Sequence, residues 1–69
     1  MSERLEEMVM TLPASYRAVV VLRYGEEMSP EEVAAALGRP LATVKSDLRR
    51  GLEMLRRKAG AVLKEFVRG

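Results

Sequence analysis

Between Thr43 and Arg50, five side chains that donate directed hydrogen bonds or carry positive charge fall within eight positions: Thr43, Lys45, Ser46, Arg49 and Arg50. Interleaved with Lys45 and Ser46 are Leu41, Val44 and Leu48, spaced by three and four. That spacing puts apolar groups on one side of an α-helix. A helix here would anchor itself through Leu41, Val44 and Leu48 and leave its basic, hydroxylated side free. Those free groups suit base edges and phosphates: arginine offers guanine a bidentate donor fork, and short hydroxyls adapt to either partner.

A helix used this way must be held at a steep angle to its predecessor, and the preceding residues supply the means. Ser29-Pro30-Glu31-Glu32 reads as N-cap, proline at the first helical position, and a capping-box glutamate at the third. Ser29 can accept from the Glu32 amide, and the Glu32 carboxylate can reach back to the Ser29 amide. The helix so started continues through Val33-Ala34-Ala35-Ala36-Leu37 and stops at Gly38. Gly38 can take a left-handed conformation at little steric cost, which an abrupt reversal needs. Ala34 is small enough for close approach of two backbones, and Arg39-Pro40 forms the connection. Residues 33–48 thus fit a helix-turn-helix, with Ser29, Glu32, Ala34, Gly38, Val44 and Leu48 as its scaffold. A plain helical hairpin is the simpler alternative, with Gly38 only a C-cap and the basic residues only solvated.

The remaining segments are also helical in pattern. A first helix is expected over about Glu3 to Met10, with Ser2 able to cap it and Leu5, Met8 and Val9 on one face. Thr11-Leu12-Pro13 breaks it, since proline lacks an amide hydrogen. A second helix is expected over about Pro13 to Tyr24. Val19-Val20-Val21-Leu22 could pass for a strand, but Pro13 opens the segment and Gly25 stands where a left-handed C-cap belongs. The fold class is therefore all-α: four to five helices, a helix-turn-helix, and a long C-terminal recognition helix. Residues 1–69 form a single domain, because a chain this short rarely divides its core.

Composition narrows the function. Apolar residues make up 48% of the chain and charged residues 32%, as in a soluble globular domain. The net charge is only +2, yet up to Gly38 three basic groups face seven acidic ones, and from Arg39 onward nine face three. A polyanion-binding half joined to a partner-facing half has this asymmetry, although an arginine-rich solvated surface has it too. There is no cysteine, so no disulfide framework or thiolate zinc site is expected. Without histidine, cysteine or a phosphate-cradling glycine loop, neither enzymatic activity nor a cofactor or metal is expected. No apolar run reaches the length of a membrane span, and Met1-Ser2-Glu3-Arg4 lacks the order of a signal peptide, so a cytoplasmic protein is expected.

Three stretches, Leu12 to Tyr24, Met28 to Gly38 and Pro40 to Ser46, resemble region 4 of bacterial sigma factors in register, nearest to the extracytoplasmic-function group. The similarity covers roughly Leu5 to Leu55, and Thr43-Val44-Lys45-Ser46 following Gly38-Arg39-Pro40 is its most specific part. The resemblance implies binding of double-stranded promoter DNA at the minus thirty-five element through the major groove. It also implies docking on the β flap of RNA polymerase core and masking by an anti-sigma factor. By the same resemblance, Lys45, Ser46 and Arg50 match positions that approach bases, and Arg23 matches a phosphate-contacting arginine. Arg39, Thr43 and Arg49 complete the expected DNA-binding set, Thr43 beside the amides of a helix N-terminus. Two positions depart from the family pattern: Asp47 stands where an arginine is common, and Leu52 where one usually follows Arg50 by two. If these mark lost DNA contact, the alternative is a protein-interaction module that binds the polymerase flap or an anti-sigma factor.

Beyond Arg50, Leu52, Leu55, Ala59, Val62 and Phe66 recur at steps of three and four, with Leu63 alongside. An unbroken helix from Leu41 to Phe66 would span roughly 39 Å at about 1.5 Å per residue. Gly60 could bend or end it. The tail either packs on Leu5, Met8 and Val9 of the first helix or offers an apolar stripe to a partner. Arg56-Arg57-Lys58 reads as a solvated face or a phosphate contact.

Overall fold

The computed structural model describes the backbone of residues 3–68 and the side chains of residues 5–60. It contains α1 (Glu3–Met10), α2 (Ala14–Val20), a π-helical turn (Val21–Gly25), α3 (Pro30–Leu37) and α4 (Leu41–Arg68), with no strand among the described residues. The all-α expectation holds. Ser2, the expected cap of α1, lies outside the described residues, as do the side chains of Val62, Leu63 and Phe66.

α1 closes with tight bonds. The Thr11 and Leu12 amides donate to the Met8 and Val9 carbonyls, each at 3.1 Å. The Thr11 hydroxyl also donates to Met8, and the Arg17 guanidinium reaches back to the Met10 carbonyl at 3.3 Å. Carbonyls left over at a helix end are met in this way by hydroxyls and basic groups. Leu12, in the break between helices, is itself buried at the centre.

The second helix differs from its expected outline in three ways. Pro13 is the N-cap, with extended ψ of 145°, and α2 starts at Ala14. After Val20 the helix widens: the Glu26 amide bonds the Val21 carbonyl at 3.1 Å, an i to i−5 bond that accommodates one extra residue per turn. Gly25 is not left-handed. Glu27 is, with φ 56°, because the wide turn carries the chain past Gly25 before it reverses. A side chain in that region costs roughly 1–2 kcal/mol.

Eight residues form the core: Val9, Leu12, Val19, Val20, Val33, Val44, Leu48 and Leu55. They come from each of the four α-helices and from the α1–α2 break. Each such side chain stabilises the fold by about 1.5–3 kcal/mol relative to exposure. The five most completely buried are valines, which suit a small core because their χ1 freedom is already restricted. Tyr16, Met28, Ala34, Leu37, Leu52 and Met54 pack around them.

α4 passes Gly60 without a break and runs 28 residues, about 42 Å at 1.5 Å per residue. Its first half lies beneath α2 and α3. The contact with α2 centres on Gly51, where an added Cβ would come within 3.0 Å of Val20 Cγ2 and 3.5 Å of Tyr16 Cβ. No helix among the described residues is long and apolar enough to cross a membrane.

Candidate nucleic-acid interface

α3 is held at both ends as its sequence requires. The Ser29 hydroxyl accepts from the Glu32 amide at 3.1 Å, and the Ser29 amide donates to Glu32 Oε1 at 2.9 Å. Hydrogen bonding of the Glu32 carboxylate to the Ser29 amide foremost, and to the Ser29 side chain, holds the Glu32 carboxyl below its ordinary value of 4.5. At the other end Gly38 is left-handed, with φ 64° and ψ 36°. The Ala34 carbonyl accepts from the amides of Gly38 and Arg39, the latter at 3.0 Å, which closes the turn. Nothing lies within 4 Å of a Cβ built on Gly38, so glycine is required there by backbone conformation and not by space.

The start of α4 then faces two ways. Val44 and Leu48 are buried, while Thr43, Lys45, Arg49 and Arg50 are exposed and Ser46 is half-buried between them. A short helix thus reverses at Gly38 and hands over to one whose basic flank is open to solvent. Of the exposed cations, Arg50 leans on a neighbour: hydrogen bonding to Tyr16 raises the guanidinium's pKa further, keeping it charged. Coulombic attraction from Asp47 and Glu53 acts in the same direction.

Two expected contact residues have duties inside the fold. Arg23, on the π turn, donates to the Met28 carbonyl at 3.3 Å and lies 5.2 Å from the centre of the Tyr24 ring. It secures the loop that leads to α3. Arg39 donates to the Ser15 carbonyl at 3.2 Å and faces Asp47 Oδ2 at 3.8 Å. Asp47 is therefore turned toward the α3–α4 connection, its side chain only 15% exposed. Leu52, the other departure from the family pattern, is half-buried against the core.

Gly51 escaped the sequence reading, although a signal was present. Val44, Leu48, Gly51 and Leu55 form one stripe spaced by four, three and four, and a glycine on the buried stripe of a helix marks a close crossing. The bond between Tyr16 and Arg50 joins two helices far apart in sequence and has no local signal.

A second feature lies away from the basic flank. Leu5, Val9, Val20, Tyr24, Leu52, Leu55, Arg56 and Ala59 line an open apolar groove of about 480 Å³ between α1, the π turn and α4. Lys58 donates to the Thr11 hydroxyl, tying α4 to the end of α1, while Arg56 and Arg57 are exposed. No cluster of metal-ligating side chains occurs among the described residues.

Comparison with known proteins follows the same outline. The family model described as sigma-70, region 4 matches residues 2–55. The ECF RNA polymerase sigma factor SigW of Bacillus subtilis is 38% identical over 58 residues, covering 84% of this chain and 31% of that protein. The RNA polymerase sigma-E factor of Streptomyces coelicolor is 52% identical over 52 residues, covering 75% of this chain and 29% of that protein. The chain thus spans about three-tenths of the length of these curated relatives.

Proposed function

The chain belongs to the sigma-70 region 4 family, and from that premise we propose that it reads promoter DNA during transcription initiation. Its recognition element is the first half of α4, entering the major groove of the minus thirty-five element. Thr43, Lys45, Ser46, Arg49 and Arg50 carry the contacts. The observation that supports this most directly is the exposed basic flank of α4 opposite buried Val44 and Leu48, immediately after the left-handed turn at Gly38. Lys45 and Arg50 approach base edges; Thr43 and Arg49 approach phosphates beside the helix start. Asp47 does not oppose the duplex in this reading, because its carboxylate turns toward Arg39.

Docking on RNA polymerase core accompanies DNA binding in the proposal. The apolar groove between α1 and α4 supports it, being open, uncharged except for Arg56 at its edge, and lined on α4 by residues beyond Gly51, further along the helix than Lys45 and Ser46. The β flap is the proposed occupant, and an anti-sigma factor would act by competing for the same groove. A module that kept only this groove and had lost DNA binding is the second reading.

Titration of a minus thirty-five duplex against the chain at several salt concentrations separates the two. Neutralisation of about four to six phosphates gives log affinity a slope of about −0.9 per contact against log salt. Lys45→Ala and Arg50→Ala should each weaken binding by about 1–3 kcal/mol. A chain that binds no duplex, or binds equally well with both residues removed, would leave the interaction module as the better reading.

A further inference from the structure

Arg39 differs from the other arginines near the start of α4 in what already holds it. Its amide donates to the Ala34 carbonyl at 3.0 Å, and Pro40 fixes the backbone after it. Its Nη1 donates to the Ser15 carbonyl at 3.2 Å, a partner 24 residues away in the first turn of α2. The same nitrogen faces Asp47 Oδ2, one turn beyond Val44 on α4, at 3.8 Å. One guanidinium thus joins α2, the helix-turn-helix connection and the recognition helix. Its side chain is 32% exposed, whereas Arg49 and Arg50 stand open.

Asp47 has a second cation within its field. It attracts Arg50, three residues along the same helix, where i and i+3 side chains are neighbours. A carboxylate released from Arg39 would be free to draw Arg50 along the helix surface and away from a duplex.

We propose that Arg39 is a positioning residue: it sets the recognition helix against α2 through the Ser15 carbonyl, and by engaging Asp47 it keeps that carboxylate from drawing Arg50 away from DNA. This rests on the DNA-binding reading above and assigns Arg39 a role within it other than phosphate contact. A phosphate contact and a positioning bridge lose affinity differently. Removing a phosphate contact lowers the number of counterions released, and the salt slope falls by about 0.9. Removing a bridge weakens binding with nearly the same number of phosphates engaged.

The test is a set of duplex titrations against salt with the wild type, Arg39→Ala, Arg39→Lys, the double variant Arg39→Ala/Asp47→Ala, and Arg49→Ala as the phosphate-contact reference. Arg39→Ala should lose about tenfold in affinity while its slope stays within about 0.3 of wild type, against a fall of about 0.9 for Arg49→Ala. Arg39→Lys keeps the charge but not the forked donor, and should recover less than half of that loss on a logarithmic scale. Adding Asp47→Ala to Arg39→Ala should restore affinity about threefold, because the unengaged carboxylate is gone. Should Arg39→Ala fail to fold, Arg39→Lys with and without Asp47→Ala gives the same decision. The proposal is overturned by a slope that falls as it does for Arg49→Ala, by wild-type affinity in Arg39→Lys, or by no recovery in the double variant. A wild-type chain that binds no duplex at any salt defeats the underlying reading instead, so the two failures are distinguishable.

Discussion

α4 carries two glycines, Gly51 and Gly60, and they sit in opposite circumstances. Gly51 is buried where α2 crosses, on the stripe formed with Val44, Leu48 and Leu55, and a Cβ there meets Val20 at 3.0 Å. Gly60 stands where nothing lies within 4 Å of a Cβ. Both are helical, so both forgo about 1 kcal/mol of helix propensity relative to alanine. In the inner half that loss is offset by a close crossing, which lets α2 and α3 seat the recognition helix. At Gly60 no such crossing occurs among the described residues, although Lys58 ties the helix to the end of α1 nearby. One helix therefore contains a glycine that packing requires and a glycine that packing does not. Its basic flank, the proposed DNA contact, lies around Gly51, where a misplacement of the backbone would move all of its side chains together.

The sharpest way to break this contrast is Gly51→Leu. Its Cβ alone would meet Val20 Cγ2 at 3.0 Å and Tyr16 Cβ at 3.5 Å, so the rest of the side chain must displace α2 from α4. Overpacking of this kind costs about 3 kcal/mol, a large share of what a 69-residue domain has. Thermal and urea melts should show a chain largely unfolded or strongly destabilised. Near wild-type stability would mean that α2 and α4 do not cross closely at that point.

Gly60→Ala probes the other segment and should act in the opposite direction. With open space around the Cβ, only the backbone preference changes, and stability should rise by about 1 kcal/mol if the helix persists there. In a domain of this size that raises Tm by about 4–8 °C. No gain in paired melts would mean that the outer half contributes nothing to the cooperative unit.

What could be read from the residues, and what could not, follows the same division between local and distant causes. The capping box at Ser29 and Glu32, the reversal at Gly38 and the free basic flank of α4 depend on neighbours within four positions, and local rules located all of them. The π turn after Val20 moved the left-handed residue from Gly25 to Glu27, a shift that no composition rule signals because glycine remains the better candidate. Arg39 belongs to the expected DNA-binding set, but its bond to Ser15, on another helix, exists only in the folded arrangement. The pairing of Asp47 with Arg39 across the connection is likewise visible only once the turn is formed. Gly51 was legible in principle, from its place in the apolar stripe, but the stripe had been read only at its large residues.

The smallest effect tests whether the inner half depends on α3 through its cap. The Ser29 amide and hydroxyl hold the Glu32 carboxyl below 4.5, so the folded chain binds this proton less tightly than the unfolded one. The sign follows: the cap contributes its full stabilisation above about pH 4.5 and loses it as pH falls through the lowered folded value. Glu32→Gln keeps an acceptor for the Ser29 amide but removes the titration. Melts at neutral pH should place the wild type slightly above Glu32→Gln, and melts at progressively lower pH should bring the two together. Gly60→Ala involves no titrating partner, so its increment should be the same at both ends of that range. If instead the wild type and Glu32→Gln stay equally separated in acid, the carboxylate is not what anchors α3. The seating of the recognition helix would then rest on Gly38, Arg39 and the valine core alone.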